Sequence, residues 1–258
     1  GSLLLRGGDP ELAEVLPDSR SDRRVDAIRL PAHHYHLAVR LLVSRGVEFR
    51  DEARAYETLE LTRDGLKTPR HYQREAVVAW KEARSRGLVV LPTGSGKTLV
   101  AQLAMVETQR STLIVVPTLD LLNQWYGLLC DAFGEPLVGT VGGGSFDVRP
   151  ITVITYDSAY LHLERLGDRF GLLIFDEVHH LAGPSYLQGA AMSLAPFRLG
   201  LTATPPEGER LSLTAQMVGP TVFTQEITDL AGEFLSSYET VRLKVRLGES
   251  ELQAYREA

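Results

Sequence analysis

The stretch Gly87-Leu-Val-Val-Leu-Pro-Thr-Gly-Ser-Gly-Lys97-Thr98 decides the fold of this chain. Its apolar first half is typical of a strand buried on both faces, and the apolar residues that follow recur at helical spacing (Leu99, Leu103 and Val106). A glycine-bracketed turn therefore joins a predicted strand to the N-terminus of a predicted helix. Backbone N–H groups at such a turn face an anion, which predicts a cradle for the phosphates of a nucleotide.

The residues of this turn have separate expected roles. Its glycines let the backbone approach a phosphate without a Cβ in the way. Lys97 reaches the terminal phosphates, and the Thr98 hydroxyl is a ligand for Mg²⁺. The strict pattern has glycine six positions before the lysine, where this chain has Leu91, and this departure narrows the class of nucleotide-binding protein. The predicted nucleotide ligands in the turn are Thr93, Gly94, Ser95, Gly96, Lys97 and Thr98.

Length and composition limit the alternatives. With 258 residues the chain can bury a full core and still form a smaller second unit, so we expect two domains. The net charge of -6 argues against a protein that coats nucleic acid with its whole surface, although it permits a local groove. The single cysteine, Cys130, cannot form an internal disulfide and fits a reducing compartment.

Signals for membranes and export are not found. No apolar stretch approaches the roughly 18 residues of a membrane helix, and the N-terminus has no signal-peptide pattern. We therefore expect a cytoplasmic protein, associated with the nucleoid if the source is a prokaryote. A start at Gly1-Ser2 is typical of a cleaved tag, so we expect the sequence to be part of a longer chain.

The chain divides into three expected parts. Residues 1–65 form a small α/β domain, with a strand from Val25 to Leu30, a helix whose face carries Tyr35, Val39 and Leu42, a helix end at Gly46, and a short strand from Val47 to Phe49. Residues 66–235 form a larger domain in which strands and helices alternate. Residues 236–258, with a strand pattern from Val241 to Leu247 and a helix pattern from Ser250 to Ala258, begin a connection to a further domain.

The middle part alternates short apolar strands with helix-length segments, which predicts a parallel sheet with helices on both faces. Ligands of such sheets bind at the carboxyl ends of the strands, where the cradle also lies. The predicted strands beyond the first are Thr112 to Val116, Ile151 to Thr155, Leu172 to Phe175 and Leu199 to Thr202.

A second motif follows the strand that ends at Phe175. Asp176 and Glu177 place two adjacent carboxylates at the ligand edge of the sheet. Opposite Lys97 they complete the residues of an ATPase: Asp176 holds Mg²⁺, and Glu177 orients and deprotonates the attacking water. The alternative is an acidic strand end that is merely solvated.

Two weaker motifs support this interpretation. Thr202 and Thr204 end another apolar strand, and their alternative role is a hydroxyl-rich turn that caps the next segment. Arg70 and Gln73 stand at the head of the helix that leads to the cradle. The amide of Gln73 offers a donor and an acceptor, as recognition of adenine requires, although a polar helix start is the simpler explanation.

Together these motifs resemble superfamily 2 helicases, and in particular the archaeal and bacterial members of the XPB branch. The similarity is strongest over residues 68–204 and is carried by four segments. It continues more faintly in Asp18-Ser-Arg-Ser21 and Gly46-Val-Glu-Phe49, which are similar to the damage-recognition domain of that branch. The four segments are Leu113-Ile-Val-Val-Pro-Thr-Leu-Asp-Leu-Leu-Asn-Gln-Trp125, Thr155-Tyr-Asp-Ser-Ala-Tyr160, Phe175-Asp-Glu-Val-His-His-Leu181 and Ala195-Pro-Phe-Arg-Leu-Gly-Leu-Thr-Ala-Thr204.

The resemblance implies that residues 66–235 are a RecA-like domain with a parallel sheet and helices on both faces. It also implies an ATP-dependent, 3'-to-5' DNA helicase or translocase that acts in nucleotide excision repair, with ATP and Mg²⁺ as cofactors. The implied partners are forked, damaged or single-stranded DNA and a companion endonuclease. His179, Thr202 and Thr204 would couple the nucleotide site to DNA. The implied contacts to the sugar-phosphate backbone are Pro117, Thr118, Thr155 and Ser158.

Two departures from the family pattern matter. The Arg-Glu-Asp motif that XPB proteins often carry is replaced by Pro205-Pro-Glu-Gly-Glu-Arg210, which puts its strand-separating role in doubt. The sequence also contains no second RecA-like domain and so no arginine finger. Because an arginine finger contributes about 10³ to 10⁵ in rate, we expect this chain to bind ATP but to hydrolyse it slowly.

Other functions stay open at this point. The chain could be a translocase subunit of a restriction or remodelling system, or a module in which the nucleotide only switches DNA affinity or the docking of a nuclease. The histidines His33, His34 and His36 have no cysteine or carboxylate at ligand spacing, so we prefer a helix start over a zinc site.

Overall fold

A computed structural model describes residues 1–7 and 12–226 of the chain. The connection expected over residues 236–258, with its strand and helix patterns, lies outside the described residues, as do residues 227–235 of the expected RecA-like domain.

The N-terminal part contains a three-stranded antiparallel sheet in the order β1-β3-β2. Strand β3 begins two residues later than the predicted start at Val25, because Asp26 takes a left-handed conformation (φ +47°) in the turn before it. The elements are β1 (Ser2–Arg6), α1 (Leu12–Val15), β2 (Arg20–Asp22), β3 (Ala27–Pro31) and α2 (Tyr35–Ser44).

The C-terminus of α2 explains why the predicted strand from Val47 to Phe49 is wrong. Gly46 has φ +65°, and its N–H donates to the Val43 carbonyl, while the N–H of Val47 donates back to the Leu42 carbonyl. These two bonds form a Schellman motif, which satisfies the last carbonyls of the helix. Val47 therefore closes the helix, and residues 47–50 are exposed and not in a strand.

The second sheet has eight strands in the order β11-β4-β10-β9-β5-β8-β6-β7. All neighbours are parallel except the β6–β7 pair. Three of its strands, β6, β7 and β11, were missed in the sequence because they are short or rich in glycine. The strands are β4 (Arg86–Val90), β5 (Thr112–Val116), β6 (Val138–Gly142), β7 (Ser145–Phe146), β8 (Ile151–Thr155), β9 (Leu172–Phe175), β10 (Phe197–Thr202) and β11 (Thr221–Thr224).

Helices cover both faces of this sheet, as predicted. Successive residues of a strand enter different cores: Ile114 packs with α3, α4 and α5, whereas Leu113 and Val115 pack with α6, α7 and α8. The helices are α3 (His71–Glu82), α4 (Lys97–Thr108), α5 (Leu119–Phe133), α6 (Tyr156–Leu166), α7 (Pro184–Ala191) and α8 (Gly208–Val218).

The run Gly142-Gly-Gly144 forms the turn between β6 and β7. Gly143 and Gly144 have φ values of +58° and +89°, as a type I′ hairpin turn requires at its two central positions. Glycine is needed here for backbone conformation.

Residues 51–67 connect the two sheets and run against the domain that contains the larger sheet. The N–H of Ala55 donates to the Asp168 carbonyl, and the N–H of Leu59 donates to the Gln109 carbonyl. The boundary between domains at residue 65 stays a prediction. Among the described residues, every helix is too short or too polar to pass through a lipid bilayer.

Candidate nucleotide site

The carboxyl ends of three neighbouring parallel strands bring the predicted site together. Strand β10 lies between β4 and β9, with Thr202 paired with Val90 and Gly200 paired with Phe175. The turns that follow these strands contain the cradle, the carboxylate pair and the hydroxyl motif. The sheet order, which the sequence motifs do not give, is therefore what makes them neighbours.

The cradle is held in shape by its own backbone. Gly94 and Gly96 have φ values of +78° and +82°, a conformation that favours glycine. The Ser95 hydroxyl is buried and donates to the Pro92 carbonyl at 2.6 Å, which closes the turn. Leu91 is fully buried, and its N–H donates to the Thr202 carbonyl at 3.0 Å. The Leu91 side chain thus fills the core at the position where the strict phosphate-binding pattern has glycine.

Gln73 contacts the cradle rather than open solvent. Its amide nitrogen donates to the Ser95 carbonyl at 2.7 Å, and its amide oxygen accepts from the N–H of Arg70 at 2.9 Å. Tyr72 donates to the same Ser95 carbonyl at 2.8 Å. Gln73 is only 4% exposed, so in this structure it braces the cradle from α3. Recognition of adenine by Gln73 and Arg70 stays a prediction.

Asp176 is buried at the end of β9, with both carboxylate oxygens engaged. Oδ2 accepts the indole N–H of Trp125 at 2.8 Å, and Oδ1 accepts the N–H of Glu177 at 3.0 Å. Burial raises the pKa of Asp176 above its ordinary value, while the Trp125 hydrogen bond opposes that rise. Tyr156 fixes the backbone here by donating to the Asp176 carbonyl at 3.1 Å.

Glu177 occupies a strained backbone position at the centre of the site. Its φ is +46°, which is uncommon for a residue with a side chain and is typical of functional positions. One carboxylate oxygen lies 3.8 Å from Nζ of Lys97. The other lies 3.5 Å from Nδ1 of His179 and 3.4 Å from the Thr202 hydroxyl. The two predicted ATPase motifs are therefore in direct contact.

The predicted coupling residues also contact one another. The Thr202 hydroxyl lies 3.1 Å from Nδ1 of His179 and 2.9 Å from the Thr204 carbonyl, and it accepts the N–H of Thr204 at 3.0 Å. Its one proton can serve either the Thr204 carbonyl or Glu177. Thr202 is fully buried, whereas Thr204 enters the network through its backbone and exposes its side chain.

The residues predicted to contact DNA lie at the same edge, at the starts of α5 and α6. The Thr118 hydroxyl accepts the N–H of Leu121 at 3.3 Å, and the Thr155 hydroxyl accepts the N–H of Ser158 at 3.2 Å. Thr155 also donates to the Ser158 hydroxyl at 2.9 Å. Each threonine is thus an N-cap, and Pro117 precedes the first of them. Two helix N-termini, which attract anions, face this edge of the sheet.

Trp125 contacts the candidate site through Asp176, which the sequence motifs do not indicate. Its apolar helical pattern predicts only packing in the core, and it is indeed 2% exposed. Its indole N–H nevertheless had to find an acceptor once buried. A buried tryptophan on the helix after β5 is the one signal that could have suggested a partner.

The donor set fits a nucleoside triphosphate with a divalent cation. The turn presents the lysine and backbone N–H groups that phosphates require, and glycine at position 96 lets Gln73 pack against it, since a Cβ there would lie 2.5 Å from the Gln73 amide nitrogen. A carboxylate and a threonine hydroxyl are the oxygen ligands that Mg²⁺ prefers. The fold and this arrangement define a RecA-like domain of the helicase ATPase class, which confirms the predicted fold class.

Comparisons with known proteins place the chain within that class. Residues 66–207 match the family described as type III restriction enzyme, res subunit. Residues 1–53 match the Xeroderma pigmentosum group B helicase damage recognition domain. The chain belongs to the first of these families and, within superfamily 2, to its XPB-like helicases.

Three similar proteins illustrate the relationship. A DNA 3'-5' translocase XPB2 of Sulfurisphaera tokodaii is 45% identical over 187 residues, which cover 72% of this chain and 42% of that protein. A DNA 3'-5' helicase XPB of Kineococcus radiotolerans is 31% identical over 277 residues, 98% of this chain and 49% of that protein. The UvsW helicase of bacteriophage T4 superposes with a TM-score of 0.53 at 20% identity, over 85% of this chain and 96% of that one, and shares the fold.

The chain thus spans less than half the length of these two curated relatives.

Proposed function

We propose that the protein is an ATP-dependent DNA helicase or translocase, with 3'-to-5' polarity, that opens or distorts duplex DNA in nucleotide excision repair. The observation that carries the proposal is the contact network from Lys97 through Glu177 to Thr202 and His179. It joins a phosphate cradle to a strand end beside the predicted DNA track. The names of the XPB relatives support the substrate and the polarity, and the match of residues 1–53 to a damage recognition domain supports the repair role.

The residues have the following roles in the proposal. Backbone N–H groups of Thr93–Gly96 and the ammonium group of Lys97 bind the phosphates. Thr98 and Asp176 hold Mg²⁺, which, when bound, offsets charge on the phosphates. Glu177 orients the attacking water and accepts its proton, and its left-handed backbone directs the carboxylate toward Lys97. Gln73 and Arg70 supply the adenine contact.

The coupling step rests on the single proton of the Thr202 hydroxyl. Thr118 follows β5 and Thr155 follows β8, and β9 lies between β5 and β10 in the sheet. DNA that binds beside these threonines can therefore act on β10 through the ends of β5 and β9. A shift of Thr202 between Glu177 and the Thr204 carbonyl changes the orientation of the catalytic carboxylate. In this proposal, a second RecA-like domain in the longer protein supplies the arginine finger, and a companion endonuclease acts on the opened DNA.

ATP turnover tests the proposal. We expect slow turnover by this chain and strong stimulation by forked DNA in the longer protein, because the arginine finger contributes about 10³ to 10⁵ in rate. In that protein, Glu177→Gln should retain ATP binding and lose strand displacement. DNA-independent turnover in the longer protein, or strand displacement that survives Glu177→Gln, would contradict the proposal and favour a nucleotide-gated binding module.

A further inference from the structure

A cavity of about 980 Å³ lies at the edge of the large sheet opposite the phosphate cradle. It forms where α2 and residues 49–56 meet the turn between α3 and β4. Strand β4 begins at this edge with Arg86 and ends beside the cradle with Val90. The full length of a strand therefore separates this cavity from the candidate nucleotide site.

The cavity is rich in positive charge. Four arginines line it, with Asp51 as the one carboxylate among the described lining residues. Asp51 is already engaged, because it accepts the Tyr35 hydroxyl at 2.5 Å and pairs with Arg54 at 3.3 Å. In the described part of the chain, the other three arginines (Arg40, Arg84 and Arg86) form no ion pair. A net positive cavity on a chain of charge -6 attracts an anion.

Aromatic rings are placed among these charges. Tyr35, Phe49, Tyr56 and Phe197 line the cavity, and Phe49 is 42% exposed although it is large and apolar. The guanidinium carbon of Arg54 lies 5.7 Å from the centre of the Tyr56 ring. Proteins that bind single-stranded nucleic acids use aromatic rings to stack on bases and guanidinium groups to contact phosphates.

The basic wall is rigidly built. Arg86 donates to the carbonyl oxygens of Pro196 at 3.3 Å and of Met217 at 2.9 Å, which fixes its guanidinium. Burial lowers the pKa of Arg86 to about 10, so the group stays charged at neutral pH. Arg84 and Ser85 both have left-handed backbones, with φ values of +62° and +56°. The N–H of Arg84 donates to the Lys81 carbonyl and that of Ser85 to the Trp80 carbonyl, so this turn closes the end of α3 in a fixed shape.

We propose that this cavity binds single-stranded DNA, with its arginines on phosphates and the exposed ring of Phe49 against a base. The site would hold a strand on the face of the domain away from the nucleotide, in addition to the track beside Thr118 and Thr155. The proposal rests on the proposed function only in naming DNA as the ligand. It requires neither ATP binding nor hydrolysis.

The test measures binding of a short, fluorescently labelled oligothymidylate by anisotropy, without nucleotide and over a series of salt concentrations. The test variant combines Arg40→Glu with Arg84→Glu, and the matched control combines Arg74→Glu with Arg165→Glu, which are exposed and outside the cavity. The slope of log K against log salt is negative, and loss of two phosphate contacts makes it less steep by about 1.4. We expect this less steep salt dependence in the test variant and the wild-type salt dependence in the control.

A second measurement locates the strand. Phe49→Ala should weaken binding by at least about fivefold if a base stacks on the ring. An oligonucleotide that carries 5-iodouracil should crosslink to the peptides that contain Phe49 or Tyr56. Binding of a fluorescent ATP analogue with wild-type affinity shows that each variant is folded.

Equal salt slopes in the test and control variants, or crosslinks confined to the starts of α5 and α6, would overturn the proposal. If free thymidine monophosphate competes as well as the unlabelled oligonucleotide at the same total phosphate concentration, the assignment to a DNA strand would be overturned. None of these results depends on DNA-stimulated ATP turnover, so failure of the cavity proposal is distinguishable from failure of the proposed function.

Discussion

The indole Nε1 of Trp125 donates a hydrogen bond of 2.8 Å to Oδ2 of Asp176. This contact joins the helix that starts at the predicted DNA residue Thr118 to the predicted Mg²⁺ ligand. Because Oδ1 accepts the N–H of Glu177, the carboxylate is held at both oxygens. The helix after β5 thus has a direct mechanical link to the nucleotide site.

Trp125→Phe should weaken the Mg²⁺ dependence of nucleotide binding, since the released carboxylate can rotate away from the cradle. Loss of a hydrogen bond to a charged group also lowers the free energy of unfolding by about 1.5–3 kcal/mol. The measurement is the Mg²⁺ concentration for half-maximal binding of a fluorescent ATP analogue. Trp80→Phe is the matched control, because buried Trp80 donates its indole N–H to the Arg198 carbonyl, outside the site. An unchanged Mg²⁺ requirement in Trp125→Phe would contradict the positioning role.

Gly96→Ala should abolish nucleotide binding. The new Cβ would lie 2.5 Å from the Gln73 amide nitrogen, and the residue would have to keep φ +82°. The backbone strain alone costs about 1 kcal/mol or more. Gly144→Ala isolates that cost, because Gly144 has φ +89° with no atom within 4 Å of its Cβ position.

We expect Gly96→Ala to lower the free energy of unfolding, measured in urea, more than Gly144→Ala does. Adding Gln73→Ala should restore part of the difference, because it removes the colliding group. Equal losses in the two glycine variants would mean that the brace from Gln73 does not restrict the cradle.

Thr202→Val should separate nucleotide binding from coupling. Valine fills the buried volume but removes the hydroxyl that contacts Glu177, His179 and the Thr204 backbone. We expect near wild-type affinity for ATP, a loss of about 1–3 kcal/mol in the free energy of unfolding from the unpaired backbone groups, and loss of DNA stimulation in the longer protein.

Thr204→Val is its control, since Thr204 contributes its backbone and exposes its side chain. We expect this variant to keep DNA-stimulated turnover. Equal loss of stimulation in both variants would contradict the assignment to the Thr202 hydroxyl alone, because the coupling would then also depend on the Thr204 side chain.

Acid should destabilise the fold through His33. Burial, with the nearby charges of His34 and Arg198, lowers the pKa of His33 to about 3. The unfolded chain takes up this proton near pH 6.5, whereas the folded chain takes it up only near pH 3. The stability is therefore complete above pH 6.5 and falls as the pH decreases, by about 1.4 kcal/mol per pH unit for this group. Urea unfolding at several pH values between these limits measures the slope.

His33→Gln should make that slope shallower, because glutamine does not titrate. His162→Gln, which removes a partly buried histidine packed against Phe146 at the far edge of the large sheet, is the comparison variant. His36, whose pKa burial also lowers to about 3, contributes in the same direction and remains in both variants. An identical slope in His33→Gln and wild type would contradict the assignment.

Local sequence patterns were enough for the strands that carry the site. Thr112–Val116, Ile151–Thr155 and Leu172–Phe175 were predicted at the bounds observed, because buried parallel strands read as continuous apolar runs. Short strands such as β7 were missed, since two exposed residues produce no such run. The strand predicted for Val47–Phe49 does not form, because the N–H of Val47 donates to the Leu42 carbonyl and so closes the end of α2.

The sequence by itself determined the chemical groups of this protein: a glycine-bracketed turn with Lys97, an adjacent carboxylate pair and a hydroxyl strand end, each recognisable because it depends on neighbours in the chain. Only the tertiary structure decided which of these groups meet. The insertion of β10 between β4 and β9 brings Thr202 to Glu177. The packing of α5 brings Trp125 to Asp176, and the packing of α3 directs Gln73 onto the cradle. Such contacts join residues far apart in sequence, and burial fixes them because a buried polar group requires a partner that no local pattern specifies.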